Sequence, residues 1–454
     1  MVHIKITKGL DIPIEGKPSG EIKTLESPDQ VSLNLNVFVN TKFKLLAKPG
    51  EAVKIGQPLC DDKSSPGRYF VAPASGVIQD VRRGLKRRLI DIVIKRDEKE
   101  EFHKLNPVDI NTASRQQIVD LLKEGGCFAH IRQRPFNLLA DPTHTPRAIF
   151  VKAIESEPFA CPAEMQVSGC EKEFQVGLSA LAKLTDGNVN LVHRAGSSCE
   201  AFTKAKDVVI HTAEGPHPVG NLSTHIHFID PVKSAEDVIW TVRVIDVITI
   251  GKMVSTGHYH TDRIISLAGT GIHEERRGFF KVRAGHPIGA LVANRTTKGL
   301  LRLVSGDVLT GTKVDIDDYL GFKHTIFCVL KENTERELLH FFRLGGHKFT
   351  NSGTYLSGKL KGGARTWDFT TSTHGEERAF VDAAVYQDVM PMQIPVQHLV
   401  KAVISGDFES AEELGLFEVD AEDFALPTFV CPSKIEMTEL MGKGIAQYAK
   451  EVLE

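Results

Sequence analysis

Residues 214–228 read EGPHPVGNLSTHIHF and lie near the middle of the chain, directly after the apolar run Val208–Ile210. Two prolines and two glycines in the first seven of these residues restrict the backbone and remove amide donors, so this half predicts a shaped loop. His225 and His227 alternate in the second half, which predicts a strand with both imidazoles on one side.

Four histidines cluster in and beside this stretch, at positions 211, 217, 225 and 227. One interpretation is a metal site and a histidine-dependent metalloenzyme. The other is that the imidazoles form hydrogen bonds with loop carbonyls and hold the turn. We favour the second interpretation, because no carboxylate or thiolate recurs at the spacing of metal ligands.

The composition is that of a globular protein of three or four domains. The chain has 454 residues, 41% of them hydrophobic, and a net charge of −3, which gives no indication of nucleic-acid binding. No apolar signal segment opens it, and the most apolar long stretch, Val238–Val254, is interrupted by Arg243, Asp246 and Lys252. We therefore expect no membrane span, and any membrane role must come through a partner.

The seven cysteines form no C-x-x-C pair. Their odd number and irregular spacing predict reduced thiols, and argue against an iron–sulfur cluster or a structural zinc ion held by this chain alone.

An alternating apolar pattern cut by turns predicts a flattened β-sandwich over residues 1–105. The strands around Val53–Leu59 and Phe70–Ile78 flank a turn that carries Lys63, the place where lipoyl and biotinyl carriers hold their modified lysine. A carrier function through Lys63 is therefore an alternative. We favour a shared fold only, because the chain is far larger than a carrier.

Strands alternate with helices from residue 106 to residue 257, which predicts a Rossmann-like α/β domain with a mostly parallel sheet. The buried run Ala148–Ile154 is followed by a helix over 172–184 and by strands at 189–192 and 207–210. Ser234–Asp237 resembles a capping box and predicts a helix as far as Ile250. No G-x-G-x-x-G motif opens the unit, so the sequence does not predict a dinucleotide site.

Short strands and turns predict a β-grasp domain with an accessory β-rich region over residues 258–383, and helical spacing predicts a helical domain over 384–454. The expected fold class is therefore a multidomain α/β and α+β protein: a carrier-like sandwich, a Rossmann-like domain, a β-grasp of the soluble-ligand-binding type, and a helical C-terminal domain.

Several motifs together resemble one family and span nearly the whole chain. They are KGLDIPI at 8–14, APASG at 72–76, RPF at 134–136, GPHP at 215–218 with THIHF at 224–228, SGDVLTGTK at 305–313 and FVCP at 429–432. This set is similar to the A subunit of the bacterial Na⁺-translocating NADH:quinone reductases. In domain order, those proteins are similar to the C subunit of the Rnf complex and to the flavin subunit of complex I.

The resemblance implies a peripheral subunit on the cytoplasmic face of the bacterial inner membrane, soluble when isolated, in a complex that couples electron transfer from NADH to ubiquinone with sodium export. The complex uses FAD, FMN, riboflavin and iron–sulfur centres, but the resemblance implies that none is bound by this chain. The sequence departs from the cluster-binding pattern of Rnf, since only Cys431–Pro432 of that motif is present. The implied partners are the other subunits of the complex, above all the membrane-spanning subunit next to the quinone site. The chain alone is not expected to be catalytic.

The family also implies a contribution to quinone binding. A quinone needs hydrogen-bond donors for its carbonyl groups and apolar or aromatic walls for its ring and tail. Arg132, Arg134 and Phe136 supply these groups in one loop, and His217 offers another donor. These four residues are the predicted quinone-proximal candidates. The alternative is that Arg134 and Phe136 pack between domains.

Overall fold

The computed structural model describes residues 1–39, 41–335, 338–339, 342–359 and 365–453. Its first sheet has a parallel part and an antiparallel edge. Across the sheet the strands are β1 (His3–Lys5), β14 (Val209–Glu214), β13 (Asn188–Arg194), β12 (Ala148–Ala153), β15 (Ile239–Arg243), β10 (Arg132–Arg134) and β11 (Leu138–Leu139).

Helices cover one face of this sheet, where Ile149, Val151 and Val242 belong to one apolar core. These helices are α1 (Arg115–Glu124), α2 (Ala163–Val167), α3 (Glu171–Leu184), α4 (Glu200–Thr203) and α6 (Val244–Thr256). Helix α5 (Leu222–Ile229) packs on the other face, where Ile226 shares an apolar core with Phe150. Helices α3 and α6 cross closely because Gly251 has no side chain: a Cβ atom there would lie 1.7 Å from the carbonyl oxygen of Glu173.

The order of the parallel strands places a topological switch between β12 and β15. The chain runs from β12 to β13 and β14 on one side, and then returns to place β15 on the other side of β12. Loops that leave two such strands diverge, and the crevice between them at the carboxyl ends is where open α/β sheets bind ligands. The residues that follow Ala153 and Arg243 therefore border the crevice in which a ligand is expected.

The prediction of a helix from Ser234 to Ile250 is wrong in its first half. Residues 239–243 form β15, and α6 begins only at Val244. The segment is strand because β12 and β10 pair with it on both sides and bury Ile239, Trp240 and Val242, an apolar and aromatic sequence suited to a central strand.

The predicted strand through His225 and His227 is also wrong, because both lie on α5, which begins after Asn221. Residues two apart on a helix point about 200° away from each other. His225 is accordingly buried, whereas His227 lies toward the C-terminal helices and pairs with Glu418.

Two smaller sheets build the N-terminal sandwich around an apolar core of its own. One contains β3 (Gln30–Asn34), β9 (Leu89–Arg96), β8 (Gly76–Arg83) and β5 (Ala52–Val53), and the other β4 (Phe43–Leu45), β6 (Pro58–Asp62) and β7 (Tyr69–Val71). Lys63 is exposed just after β6. The connection to β7 is held by the buried Asp62–Arg68 ion pair at 2.6 Å.

The remaining sheet and the C-terminal helices complete the chain. Across this sheet lie β19 (Thr312–Val314), β18 (Leu301–Ser305), β20 (Ile326–Lys331), β16 (Asp262–Ala268), β17 (Gly278–Arg283) and β2 (Ile22–Thr24), with α7 (Ile288–Val292) beside them. The C-terminal helices are α8 (Ala384–Gln387), α9 (Val396–Ser405), α10 (Phe408–Glu413), α11 (Ala425–Val430) and α12 (Met437–Leu453).

The mixed α/β multidomain class is thus confirmed, whereas the predicted domain limits stay predictions. Residues 3–5 and 22–24, inside the predicted sandwich domain, pair with β14 and β17. Positions 336–337, 340–341 and 360–364 of the predicted third domain, and position 454 of the fourth, lie outside the described residues.

Candidate functional site

Cations line one face of the first sheet near the carboxyl ends of its parallel strands. Lys152 on β12 is the register partner of Arg243 on β15, and Arg132 on β10 is the partner of Thr241. Because side chains alternate along a strand, Thr241 and Arg243 share a face, and the three cations project to the same side. Like charges on neighbouring strands are unfavourable unless anions compensate them.

Lys152 is compensated by two carboxylates from the loop after β12. Its ammonium lies 2.8 Å from Glu155 and also pairs with Glu157, and the three side chains are 8, 11 and 18% exposed. Burial would raise the pKa of Glu157, but the Lys152 ammonium overcomes this and holds the pKa below its usual range. Burial raises the pKa of Glu155 to about 7, because Lys152 offsets only part of the desolvation.

Arg243 is compensated by Asp246 in the first turn of α6. Its Nε lies 3.0 Å from Asp246 Oδ2, while Asp246 Oδ1 lies 2.9 Å from Nδ1 of His130. Burial opposes ionisation of Asp246, but Arg243 and His130 keep the pKa of this carboxyl well below its usual range.

His130 is neutral because burial outweighs the effect of Asp246, which favours the charged imidazole. Burial lowers the pKa of His130 to about 4, so the imidazole is neutral at neutral pH. Its Nδ1 donates to the Asp246 carboxylate, and its Nε2 therefore accepts the hydroxyl proton of Tyr259 at 2.8 Å. This chain of hydrogen bonds fixes the floor of the crevice.

The C-terminal region supplies acidic groups from the turn at residues 420–423. Asp423 accepts a hydrogen bond from the Asn221 side chain at 2.9 Å, and Asp420 lies 3.8 Å from Arg134. Within the described part of the chain, the Glu422 side chain makes no hydrogen bond or ion pair. Burial, then Asp420 and Asp423, raise the pKa of Glu422 to about 8.

Of the four quinone-proximal candidates, three are engaged in packing or hydrogen bonds. Arg134 is 2% exposed and donates to Ser223 Oγ at 2.9 Å. Phe136 is 7% exposed and packs edge-on against other aromatic rings. His217 is buried, with its Nδ1 2.9 Å from Ser156 Oγ.

The fourth candidate, Arg132, differs from the others. Its guanidinium stands 5.4 Å from the centre of the Phe38 ring and makes one long hydrogen bond, of 3.3 Å, to the carbonyl oxygen of Asn137. Burial lowers the pKa of Arg132 to about 10, with Asp420 opposing this shift and Arg243 adding to it. Arg132 therefore remains charged at neutral pH.

The histidines found in the sequence have separate partners. His211 lies 3.0 Å from Asn190 Oδ1, His225 donates from Nε2 to the carbonyl oxygen of Val219 at 2.8 Å, and His227 lies 2.6 Å from Glu418. Among the described residues, no group of three or more His, Cys, Asp or Glu side chains is arranged to hold a metal ion. The interpretation as a carbonyl-bonded turn is confirmed for His225.

Sequence reasoning missed Lys152, Glu155, Arg243 and Glu422. The sequence could have indicated Lys152 and Glu155. Lys152 lies near the end of the apolar run 148–154 and Glu155 directly follows it, and ligands bind beyond the carboxyl end of such a parallel strand. Arg243 was hidden by its assignment to a helix interior. Nothing in the local sequence around Glu422 indicates that it reaches the first sheet.

Replacing Glu422 with glutamine should stabilise the chain at alkaline pH. A carboxyl whose folded pKa of about 8 lies above its ordinary value of 4.5 stabilises the protonated folded state, and that contribution is lost as pH rises through 8. Glu422→Gln removes the charge of a half-buried carboxyl, so at pH 8.5 the free energy of unfolding should rise by about 1–3 kcal/mol. Urea unfolding at pH 5.5 and 8.5 measures this.

The exposed Glu412→Gln serves as the control for Glu422→Gln and should change stability little at either pH. A Glu422→Gln variant less stable than the parent at pH 8.5 would contradict the assignment of an uncompensated carboxyl.

The fold and crevice together define a class: a multidomain protein in which a β-sandwich, a helix-covered parallel sheet and a further mixed sheet meet helical C-terminal elements. Three family models match successive parts of the chain. They are the NqrA N-terminal barrel-sandwich hybrid domain at residues 4–97, the NqrA second alpha/beta domain at 113–259 and the NQRA C-terminal domain at 264–315.

Relatives match over nearly the full length. The A subunit of the Na(+)-translocating NADH-quinone reductase of Serratia proteamaculans is 38% identical, covering 99% of this chain and 100% of its own. The proteins of the same name from Saccharophagus degradans and Chlamydia caviae are 37 and 36% identical, with 99% of this chain covered in each case and 100 and 97% of theirs. The chain belongs to the family of A subunits of Na⁺-translocating NADH:quinone reductases.

This assignment confirms the family resemblance and the barrel-sandwich character of the N-terminal region, and it does not favour the carrier or metalloenzyme alternatives. No helix in the described ranges combines the length and apolarity needed to cross a bilayer. A partial likeness to an NAD⁺-reducing [NiFe]-hydrogenase chain, at 12% identity and a TM-score of 0.33 over 52% of this chain and 53% of that one, supports no conclusion.

Proposed function

We propose that this chain is a peripheral subunit of a complex that transfers electrons from NADH to ubiquinone and exports sodium ions. The observation that carries this proposal is the match to A subunits of such enzymes over 99% of the chain. The chain docks on the cytoplasmic side of the membrane-spanning subunits and depends on the flavins and iron–sulfur centres of its partners. In this proposal the first sheet with its helices is a Rossmann-like unit, and the sheet formed by β2 and β16–β20 is a β-grasp.

The chain contributes to the quinone site through β10 and the loop that follows it. Arg132 supports this role because its guanidinium is charged, weakly hydrogen-bonded and beside the aromatic ring of Phe38. Arg134, Phe136 and His217 support the same region indirectly. Their side chains already have hydrogen-bond or packing partners within the chain. A quinone carbonyl would accept a hydrogen bond from Arg132 while its ring lies against an apolar wall.

A photoreactive ubiquinone analogue tests this role in the assembled complex. We expect label within residues 133–147, competed by excess ubiquinone, and an at least fivefold weaker label on the same residues in Arg132→Gln, on the scale of one charge-assisted hydrogen bond. The exposed Arg276→Gln is the matched control and should label like the parent. Label confined to other subunits would contradict the quinone role and leave this chain with docking alone. Failure of the chain to co-purify with the other subunits would contradict the proposed function itself.

A further inference from the structure

Two cations at the crevice have no counter-charge in contact. Within the described residues, neither Arg132 nor Lys323 takes part in an ion pair, and the Lys323 ammonium makes no hydrogen bond. Arg243 uses Asp246 as its partner, and Lys152 uses Glu155 and Glu157.

Contacts place these two cations together. The Arg243 guanidinium donates to the backbone carbonyl oxygen of Lys323, which positions the 321–324 loop at the end of β15. The neighbouring Phe322 ring lies 5.2 Å from Phe38 and 4.9 Å from His130. Arg132 stands over the same Phe38 ring, and the charges of Arg132 and Arg243 both act on the Lys323 ammonium, so the three cations are neighbours.

The nearby acidic groups do not balance this space. Asp246 is shared by Arg243 and His130, and Asp420 is bonded to Asn137 and lies beside Arg134. Glu422 is the remaining carboxyl that faces Lys323, and burial favours its neutral form by raising its pKa to about 8. Both cationic side chains are half-buried, and an anion bound between them would offset the repulsion between their charges.

We propose that Arg132 and Lys323 bind a small inorganic oxyanion of the phosphate or sulfate type, with Arg243 as a third positive neighbour. The guanidinium offers paired N–H donors and the ammonium a mobile point charge, the combination that recognises tetrahedral oxyanions. The site lies at the switch between β12 and β15, where parallel sheets of this kind hold ligands. Anion binding here does not depend on the quinone role proposed above.

An anion in contact with Lys323 should favour the charged form of this side chain. Burial, then the charges of Arg132 and Arg243, hold the pKa of the free Lys323 ammonium well below its ordinary value, with Asp246 and Glu422 opposing the shift. An anion in contact would raise that pKa again. Binding should therefore weaken as pH rises and the ammonium loses its proton, whereas a site made only of permanently charged guanidinium groups would show no such change.

Calorimetric titration of the full chain with sodium sulfate, at ionic strength held constant with sodium chloride, tests the proposal. Sulfate keeps its charge across the pH range used. We expect saturable binding at one site that weakens as pH rises, and an at least tenfold weaker affinity in Lys323→Met, the scale of one lost charge-assisted hydrogen bond. Arg132→Gln should weaken binding in the same direction.

The control variant is Lys99→Met, which removes an exposed lysine and should bind sulfate like the parent. Lys323→Met should unfold at the same temperature as the parent or higher, because the ammonium of this half-buried lysine makes no hydrogen bond or ion pair in the described residues; unchanged stability would separate lost binding from misfolding. No saturable binding in the parent, or equal affinity in parent and Lys323→Met, would overturn the proposal.

Discussion

Lys152→Met is expected to destabilise the isolated chain by about 3–5 kcal/mol at pH 7.5, the cost of leaving buried carboxylates without their cation. Lys152 is 8% exposed and is the ion-pair partner of both Glu155 and Glu157. Methionine keeps most of the aliphatic volume, so the loss reports charge rather than packing. The free energy of unfolding from urea titrations measures it.

The stability deficit of Lys152→Met should depend on pH. In the parent, the depressed pKa of Glu157 contributes stability that is present above the unfolded value near 4.5 and is lost as pH falls through the folded pKa. The variant lacks this contribution and must protonate both carboxyls to fold. Its deficit should therefore shrink as pH falls from 7.5 to 5.

Two further variants test whether the loss of stability comes from the buried ion pairs of Lys152. Lys204→Met removes the lysine of an exposed pair with Glu200, whose side chains are 68 and 74% exposed, and should cost less than about 1 kcal/mol. The double variant Lys152→Met/Glu157→Gln should recover part of the loss, because one stranded charge is gone. Equal effects of Lys152→Met and Lys204→Met on stability would refute the idea that Lys152 compensates the buried charges of Glu155 and Glu157.

Phe136→Ala is expected to cost about 3–5 kcal/mol of unfolding free energy, since it empties a buried aromatic position. The ring lies 6.0 Å from Phe417 and 5.9 Å from Tyr448, and it joins the first sheet to the C-terminal helices. Urea unfolding of the isolated protein measures the loss, with no quinone or partner present.

The comparison with Phe228→Ala tests whether packing is the reason. Phe228 is 41% exposed on α5, so its removal should cost less than about 1 kcal/mol. Similar stability of the two variants would mean that Phe136 is free of the core, which would restore it as a direct quinone contact. Phe136→Leu, which refills much of the space, should fall between parent and alanine.

The sequence predicted the family and the coarse architecture because both depend on short motifs and on the pattern of neighbouring residues. Motifs from 8–14 to 429–432 matched one family, and the apolar run at 148–154 and the helical spacing at 172–184 correspond to β12 and α3. In Lys63 it also placed an exposed residue on the sandwich turn. These features depend on the periodicity of neighbouring residues, which a single chain segment carries by itself.

Local pattern failed where long-range pairing competed with it. Residues 239–243 follow a capping-box-like start, yet they form β15 because two distant strands bury them. His225 and His227 alternate as in a strand, yet they lie on a helix, with one imidazole bonded to Val219 and the other to Glu418. Sequence spacing carries no information on which of these partners is within reach.

By itself, then, the sequence determined the family, the β-sandwich, and the helical C-terminal region. Only the tertiary structure decided that Lys152, Arg243 and Arg132 stand side by side, because they lie on strands far apart in the chain that become neighbours through sheet order. It also decided which of these charges have counter-ions, since Glu155 lies three residues from Lys152 whereas Lys323 and Glu422 arrive from other regions. The physical reason is that charge compensation depends on distance through space, which chain order does not specify.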